Sequence, residues 1–376
     1  MRVAMVTESF LPQVNGVTMS VLRMCEQLGA AGHEVLVVAP GTGLTEWAGA
    51  TVVRVPGVPV PGYAAHRVAV PWPGLAATLR GFRPDLLHLA SPTVLGAQAV
   101  VVAERLDLPS IAVYQTDLAA YAARYRATGA SQAVWRWLRL VHSRAARTLA
   151  PSREAVADLI RHGIPRVHLW PRGVDLDRFS PARLDPALRA ELAPDGELLV
   201  GYVGRLAAEK QVELLAGVDA LPGVRVVIVG DGPLRGSLER ALPRARFLGQ
   251  LTGDALASAF ASLDVFAHTG PHETFCQAAQ EALASGVPVV APAAGGLLDL
   301  VSEGRNGYLY RPGDGDRLRG IVAGLAVDPG RRAVLAGAAR LSVSSRSWDA
   351  VGEAYLGHCA DLLAGGGPGR SLPAAA

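Results

Sequence analysis

Short apolar runs recur along the chain at Val3–Thr7, Glu34–Ala39, Val52–Val55, Leu86–Leu89, Ser110–Tyr114, Thr148–Ala150 and Val167–Trp170. Within each run the hydrophobic positions are continuous rather than alternating. Stretches of helical period, such as Gly16–Ala30 and Val94–Leu106, separate them. Strands that are apolar on both sides, with helices between them, belong to parallel sheets covered on both faces. The pattern then restarts with Leu198–Val203, Val224–Val229, Ala245–Leu248, Asp264–His268, Pro288–Ala291 and Tyr308–Tyr310. Between the two series, Asp175–Gly196 is polar and proline-bearing and reads as a linker. The expectation is an α/β protein of two consecutive doubly wound domains, with ligands bound at the carboxyl ends of the strands, in the cleft between the domains. A last helix is expected over about Trp348–Leu363, followed from Gly365 by a Gly/Pro/Ala-rich tail that frays.

Bulk composition narrows the function classes. A chain of 376 residues is too long for one ordinary core, and at 50% hydrophobic and 18% charged it has ample material for buried sheets. A formal charge of +3 lacks the concentrated basic character of a dedicated nucleic-acid binder. Cys25, Cys276 and Cys359 are widely spaced and odd in number, which fits neither a disulfide framework nor zinc spacing and suits a reducing cytosol. The first strand is cut short by Glu8, so no signal peptide is expected, and no stretch reaches the roughly eighteen apolar residues of a spanning helix.

Of 36 lysines and arginines, one is lysine: Lys210. A compact ammonium suits a point contact with a phosphate oxygen, where arginine brings a planar fork. Lys210 follows Gly201-Tyr202-Val203-Gly204-Arg205, a strand and glycine turn, and Glu209-Lys210 is expected to open the next helix. Two cations at a helix start are suited to an anion. The plain alternative is an arginine codon drifted to lysine on a solvated face.

The segment Ser262–Glu281 carries more. A strand is expected to end near His268, a Gly270-Pro271 loop to follow, and a helix to open near Thr274, with free amides around Thr274, Phe275 and Cys276. Glu273 would stand at the edge of that helix, and Glu281, eight residues on and a little over two turns away, would face the same cleft. Alternatively Glu273 only complements the helix dipole and Glu281 is a surface acid, although Ala278, Ala279, Ala282 and Leu283 are odd neighbours for one. Gly230-Asp231-Gly232-Pro233 and Gly295-Gly296 each follow a strand, and Gly16 stands where a phosphate could approach bare backbone. No G-x-G-x-x-G is present, which argues against a nicotinamide enzyme.

These residues together resemble the retaining glycosyltransferases of family 4. They are Glu273-x7-Glu281, Gly204-Arg205 with Lys210, the Gly230–Pro233 turn and Gly295-Gly296. Val113–Asp117, Leu169–Asp175 and His272–Gln277 are similar to the actinobacterial α-mannosyltransferases that use GDP-mannose (the MgtA-like group). Pro171 departs from the small residue expected there. The resemblance covers the whole chain and implies a GT-B fold. Its first Rossmann-like domain, residues 1–172 with about 344–364, would bind the acceptor, and its second, 173–343, the nucleotide-sugar donor; the last helix would cross back to the first, anchored by Trp348, and 365–376 would be a tail. It further implies that Arg205 and Lys210 hold the donor diphosphate, with Gly16 reaching it from the other domain, that Glu273 contacts the transferred sugar and Glu281 the ribose. Asp231, Gly232, His272, Thr274, Phe275 and Cys276 would line the donor.

The implied reaction is same-face displacement with retention, the leaving phosphate taking the acceptor's proton and Glu273 positioning the sugar. Preorganised cations and amides stabilise the leaving charge without an obligatory metal or other cofactor. Two Asp-x-Asp triplets, Asp175–Asp177 and Asp314–Asp316, are poorly placed to hold magnesium. Asp117 is either a helix N-cap or a group near the acceptor; Gln115, Tyr121 and Arg172 are further acceptor candidates. Val134, Trp137, Leu138 and Val141 form a core stripe, whose other face carries Trp135, Arg136 and Arg139. That basic face, or the loop Val58–Pro73 with Tyr63, His66, Arg67 and Trp72, could meet anionic lipid headgroups, the plain alternative being solvated arginines. The partners expected are GDP-mannose, a lipid or small polyol acceptor and an anionic membrane surface, for a cytoplasmic enzyme visiting the inner face of the plasma membrane. Three rivals remain. They are a UDP-sugar transferase acting on an inositol phosphate, a two-domain sugar-binding protein without chemistry, and a nucleotide-sugar epimerase, for which His272 is the one histidine in a persuasive position.

Overall fold

The computed structural model describes residues 1–13, 15–60, 63–118 and 130–365, which form two compact units. The first comprises Met1–Arg172 together with the chain from Trp348 onward, the second Gly173–Ser347.

In the first unit, strands β1 (Arg2–Val6), β2 (Glu34–Pro40), β3 (Glu46–Trp47), β4 (Ala50–Val55), β7 (Leu86–Leu89), β8 (Ser110–Val113), β9 (Arg147–Ala150) and β10 (Val167–Leu169) form a sheet ordered β10-β9-β8-β7-β1-β2-β4-β3. All its pairings are parallel except β3 with β4. The reason the runs are continuous is visible in β1. Val3 and Met5 enter one core with Trp170, Val351 and Tyr355, whereas Ala4 and Val6 enter another with Leu75, Leu95 and Val100. Helix α1 (Gly16–Ala30) lies on the first face, α2 (Leu75–Phe82) and α3 (Val94–Arg105) on the second. Val58–Pro73 contains a hairpin, β5 (Gly57–Val60) with β6 (Tyr63–Ala69), after which Trp72 packs on the second core. Glu8 is buried; its carboxylate accepts the amides of Ala69 and Leu95 at 2.8 and 2.6 Å, tying the hairpin and α3 to the end of β1.

Helices α4 (Ala130–His142) and α5 (Arg153–Arg161) complete this unit's described periphery. Leu138 and Val141 of α4 are buried as their spacing demands, but Trp137 is not part of the core stripe: it is 41% exposed, its indole donating to the Pro92 carbonyl at 2.9 Å. Trp135 instead stacks on His162 of the α5 C-terminus, with ring centroids 3.6 Å apart.

The second unit begins where a linker was expected. Residues 175–196 are packed structure: Phe179 and Leu192 are buried in the core, and helix α6 (Pro186–Leu192) is capped by Asp185. Arg189 of α6 pairs with both oxygens of Asp264 at 3.1 and 3.0 Å. Polarity misled because Arg189 and Asp185 have specific partners. Strands β11 (Leu198–Val203), β12 (Val224–Val229), β13 (Arg246–Gly249), β14 (Val265–Ala267), β15 (Val289–Pro292) and β16 (Gly307–Tyr310) form a parallel sheet ordered β13-β12-β11-β14-β15-β16. The order reverses between β11 and β14, the switch point at which open α/β sheets leave a crevice beyond their carboxyl ends. The helices flanking this sheet include α7 (Ala216–Asp219), α8 (Arg235–Ala241), α9 (Gly253–Ala261), α10 (Gln277–Ala284), α11 (Gly315–Val327) and α12 (Pro329–Leu341). The Asp-x-Asp triplets serve local capping: Asp175 accepts the Arg178 amide at 3.0 Å and Asp314 the Arg317 amide at 2.8 Å.

Helix α13 (Trp348–Ala364) rejoins the first unit. Trp348 is partly buried against that core, and Tyr355 is fully buried, its hydroxyl 2.9 Å from Nδ1 of His88. Burial pushes His88 down to about 3, and burial likewise lowers His142 to about 4, from an ordinary 6.5. Both are neutral in the fold and protonate readily only when unfolded, so the stability they contribute is complete above about 6.5 and is lost as pH falls toward the folded values. Each is expected to add up to about 1.4 kcal/mol per pH unit to the fall in stability over that window. Denaturant titrations between pH 7 and 5 test this. His88→Gln with His142→Gln lowers stability at neutral pH but removes this part of the slope.

Candidate active site

Beyond the carboxyl ends of β11 and β14 the chain brings together four side chains. Lys210 stands on a 3-10 turn, Ala208–Lys210, rather than on the expected helix start. Its Nζ donates to Oε1 of Glu273 at 2.5 Å. His268, one residue past β14, is buried, and its Nε2 lies 3.1 Å from the same oxygen. Cys276 is buried beside them; the donor atoms of His268, Glu273 and Cys276 all lie within 4.8 Å of one another. The His268 ring lies between those of Tyr202 and Phe266, centroids 6.1 and 6.4 Å away.

The electrostatics follow from sharing one carboxylate. Burial alone would raise Glu273, but the Lys210 ammonium and the His268 ring more than offset it and hold the carboxyl at about 2. Burial alone would lower His268; the Cys276 sulfur and the Glu273 carboxylate override it and hold the imidazole up at about 10. Glu273 is thus a fixed anion at neutral pH, able to accept hydrogen bonds but not to deliver a proton. His268, Glu273 and Cys276 have the donor types of a metal site, yet here Lys210 and His268 already supply the positive charge.

Backbone contacts hold this cluster. The Thr269 hydroxyl donates to the Lys210 carbonyl at 2.5 Å, and the Gly296 amide to the Glu273 carbonyl at 2.8 Å. Gly295 has φ +56, and a Cβ there would sit 2.2 Å from the Glu273 carbonyl oxygen. Gly230 has φ +136 and a Cβ there would fall 2.0 Å from the Gly204 carbonyl. These glycines let loop press on loop; they need no ligand to explain them. Asp231 and Gly232 belong to the same packing, since the Asp231 carbonyl accepts the Leu206 amide at 2.9 Å. The Asp231 carboxylate takes the Gly232 amide at 2.7 Å and pairs with Arg235 at 3.3 Å. Arg205 is exposed, its carbonyl receiving the Tyr202 hydroxyl at 3.1 Å.

The helix after Glu273 starts later than expected. It is α10, from Gln277, so Thr274–Cys276 are a loop before it and not its first turn. Phe275 is 2% exposed and points into the hydrophobic core, so its side chain does not line the site. His272 is exposed and Thr274 partly so. Glu281, on α10, is pushed up to about 8, first by burial and then by Asp175, against the pull of Gln277 and Arg178.

The first unit has its own switch point, between β1 and β7. Asn15 caps α1 there, its Oδ1 taking the amides of Val17 and Thr18 at 3.0 Å each. The Gly16 carbonyl accepts Nη1 of buried Arg172 at 2.8 Å. Arg172 Nη2 donates to Oε1 of Gln115, whose Nε2 donates to the Ala90 carbonyl at 3.1 Å. Gln115, Arg172 and Gly16 therefore form a brace across the ends of β1, β7 and β8. Asp117 hydrogen-bonds Tyr114, whose hydroxyl is driven up by burial and by that carboxylate. Tyr121 lies outside the described residues.

Comparison with known proteins identifies the chemistry. Residues 14–178 match the family model Glycosyltransferase Family 4, and residues 197–328 match Glycosyl transferases group 1. The chain is 49% identical over 370 residues to a GDP-mannose-dependent alpha-mannosyltransferase of Mycolicibacterium smegmatis, covering 96% of this chain and 98% of that one. The chain belongs to glycosyltransferase family 4. A protein of the same description from Corynebacterium glutamicum is 46% identical over 370 residues, with 97% and 90% covered. Among solved structures, Anabaena HepE in complex with UDP superposes with a TM-score of 0.79 at 21% identity, covering 96% of this chain and 100% of that one. WaaG, a glycosyltransferase of lipopolysaccharide biosynthesis, gives 0.72 at 16% identity, with 97% and 100% covered. Both show the fold, which is GT-B.

One member of this glycosyltransferase's cluster, and an aromatic ring beside it, do not stand out in the sequence. His268 reads as the end of an apolar strand, and its one signal is its place five residues before Glu273. Tyr202 is hidden in the run Leu198–Val203, although its hydroxyl holds the Arg205 turn. If the glycines position Glu273, Gly295→Ala will cut activity about a hundredfold, the cost of roughly an ångström of displacement. Gly313, with φ +82 and nothing within 4 Å of where a Cβ would stand, is the control. Gly313→Ala is expected to lose about 1–2 kcal/mol of stability with activity retained. Turnover assays beside denaturant unfolding separate the two.

Proposed function

We propose that this glycosyltransferase moves mannose from GDP-mannose to an acceptor hydroxyl with retention of configuration. The observation that carries the reading is the pair Lys210–Glu273 at the switch point of the second unit, where a cation and an anion meet on the loops beyond β11 and β14. Lys210 and Arg205 would meet the diphosphate and stabilise the charge that grows on the leaving phosphate oxygen. Glu273, fixed as an anion by Lys210 and His268, would accept hydrogen bonds from the sugar hydroxyls and so orient the anomeric carbon. Glu281 would contact the ribose. The leaving phosphate would take the acceptor's proton as the new glycosidic bond forms on the face that the phosphate leaves. No side chain of the cluster is then required to act as a proton carrier, and no metal is required to neutralise the diphosphate.

The likeness to GDP-mannose-dependent relatives at 49% and 46% identity supports the donor. For the acceptor the reading is a lipid, with the first unit binding it. Among the described residues no helix is long and apolar enough to cross a membrane. Helix α4 nonetheless presents exposed Trp137 and Leu140 beside exposed Arg136 and Arg139, a combination suited to an anionic headgroup layer.

Incubation with labelled nucleotide sugars and crude lipid tests the donor: mannose should enter a lipid fraction from GDP-mannose, and transfer from UDP-sugars alone would overturn the reading. Lys210→Arg and Glu273→Gln are each expected to lose about a hundredfold or more in kcat while circular dichroism shows a folded protein. On vesicles containing anionic lipid, Arg136→Glu with Arg139→Glu should abolish co-sedimentation, and binding indifferent to lipid charge would remove the membrane proposal.

A further inference from the structure

Six non-glycine residues among those described have positive φ: Ala48, Arg83, Asp107, Arg166, Gln211 and Cys276. Cys276 alone of these is buried. At φ 75 and ψ 76 it precedes α10 in a left-handed conformation that disfavours any L side chain and that glycine adopts freely. Strain of this kind persists where the surroundings enforce it, and it collects at functional sites. A glycine here would remove the strain, so the sulfur must have a use. Cys276 packs in the same core as Phe275 and Ala279, and its sulfur also borders the charged cluster.

The sulfur faces the His268 imidazole and the Glu273 carboxylate, all three within 4.8 Å. His268 is 2% exposed, and its hydrogen-bonding partners are the Cys276 sulfur and the Glu273 carboxylate. The rings of Tyr202 and Phe266 lie near-parallel to it, with centroids 6.1 and 6.4 Å away. On the far side of Glu273, Lys210 contacts the same Oε1. Lys210 and His268 thus both converge on Oε1 of Glu273.

We propose that Cys276 and His268 are a positioning pair: the sulfur orients the imidazole onto Oε1 of Glu273, and that oxygen sets the Lys210 ammonium for the donor diphosphate. The inference rests on the reading that Lys210 meets the donor. Neither residue of the pair touches the sugar; both act through Glu273. The sulfur favours the charged form of the imidazole that meets the carboxylate. The Gly296 amide fixes the Glu273 backbone at its carbonyl.

The test uses the full chain, with thermal unfolding and with KM and kcat for GDP-mannose measured separately. Cys276→Gly should unfold at or above the wild-type midpoint, since it relieves the backbone, yet raise the donor KM by about tenfold or more, the size of one weakened charge-assisted contact. His268→Gln should shift the donor KM in the same direction. The double variant should be no worse than the poorer single one, because both act through one oxygen. A Cys276→Gly enzyme with wild-type KM and kcat, or effects of the two substitutions that simply add, would overturn the pair. Should Cys276→Gly fail to fold, Cys276→Ala, which keeps the backbone conformation and loses the sulfur, takes its place in the same cycle. A wild-type protein that neither binds nor uses GDP-mannose would sink the functional reading instead, so the two failures are distinct.

Discussion

A carboxylate taken out of water must find cations, and the second unit is arranged around that demand at Glu273. Oε1 receives Lys210 from the turn after β11 and His268 from the end of β14, two strands that are neighbours in the sheet although a long stretch of chain separates them. Parallel pairing brings the carboxyl ends of both to one edge, so that residues remote in sequence become adjacent without any long excursion of the loops. Taking away one member of such a buried group leaves the others uncompensated, which costs more than the pair contributes. The geometry of the cluster is therefore coupled to the register of the sheet beneath it.

The glycines serve the same end by another route. Gly204, Gly230, Gly295 and Gly296 lie where one loop presses on another, and the close approaches are to the carbonyls of Gly204 and Glu273 and to the backbone of Phe275. The loops after β11, β12, β14 and β15 are thus stacked backbone on backbone, leaving the side chains of Arg205, Lys210 and Glu273 as the variable elements. Cys276 is the exception that carries a side chain into a conformation suited to glycine. Its neighbours explain why the bare backbone was not enough.

Much of this is legible in the residues. Continuous apolar runs separated by helical stretches mark the strands of both sheets, because burial on both faces removes the alternation that a half-exposed strand would show. Lys210 and Glu273 stand out by type and spacing, and they do meet. What is hidden has physical reasons. His268 and Tyr202 sit inside or at the end of apolar strands, where a polar ring is masked by its neighbours, and only the fold reveals that each faces the cluster. The start of α10 reads too early because Thr274 and Glu273 look like capping residues, whereas the loop stays irregular to keep contact with Gly295 and Gly296. The polar stretch 175–196 resembles a linker because its charges are paired by Asp264 and by its own amides, partners that lie far along the chain or in the backbone.

The contrast between arginine and lysine gains a structural meaning from these partners. Arginines repeatedly use the breadth of the guanidinium to gather carbonyls from different segments. Arg340 binds those of Phe179, Ala284 and Leu176, at 2.9, 2.6 and 3.0 Å. Arg172 likewise spans from the Gly16 carbonyl to the Gln115 amide. Each is a staple whose value lies in reaching several acceptors in one plane. Lys210 instead brings a compact ammonium to a carboxylate oxygen of Glu273. An arginine there would reach past Glu273 and bind like a staple. The chain keeps its one lysine where a compact charge meets the carboxylate at the centre of the cluster.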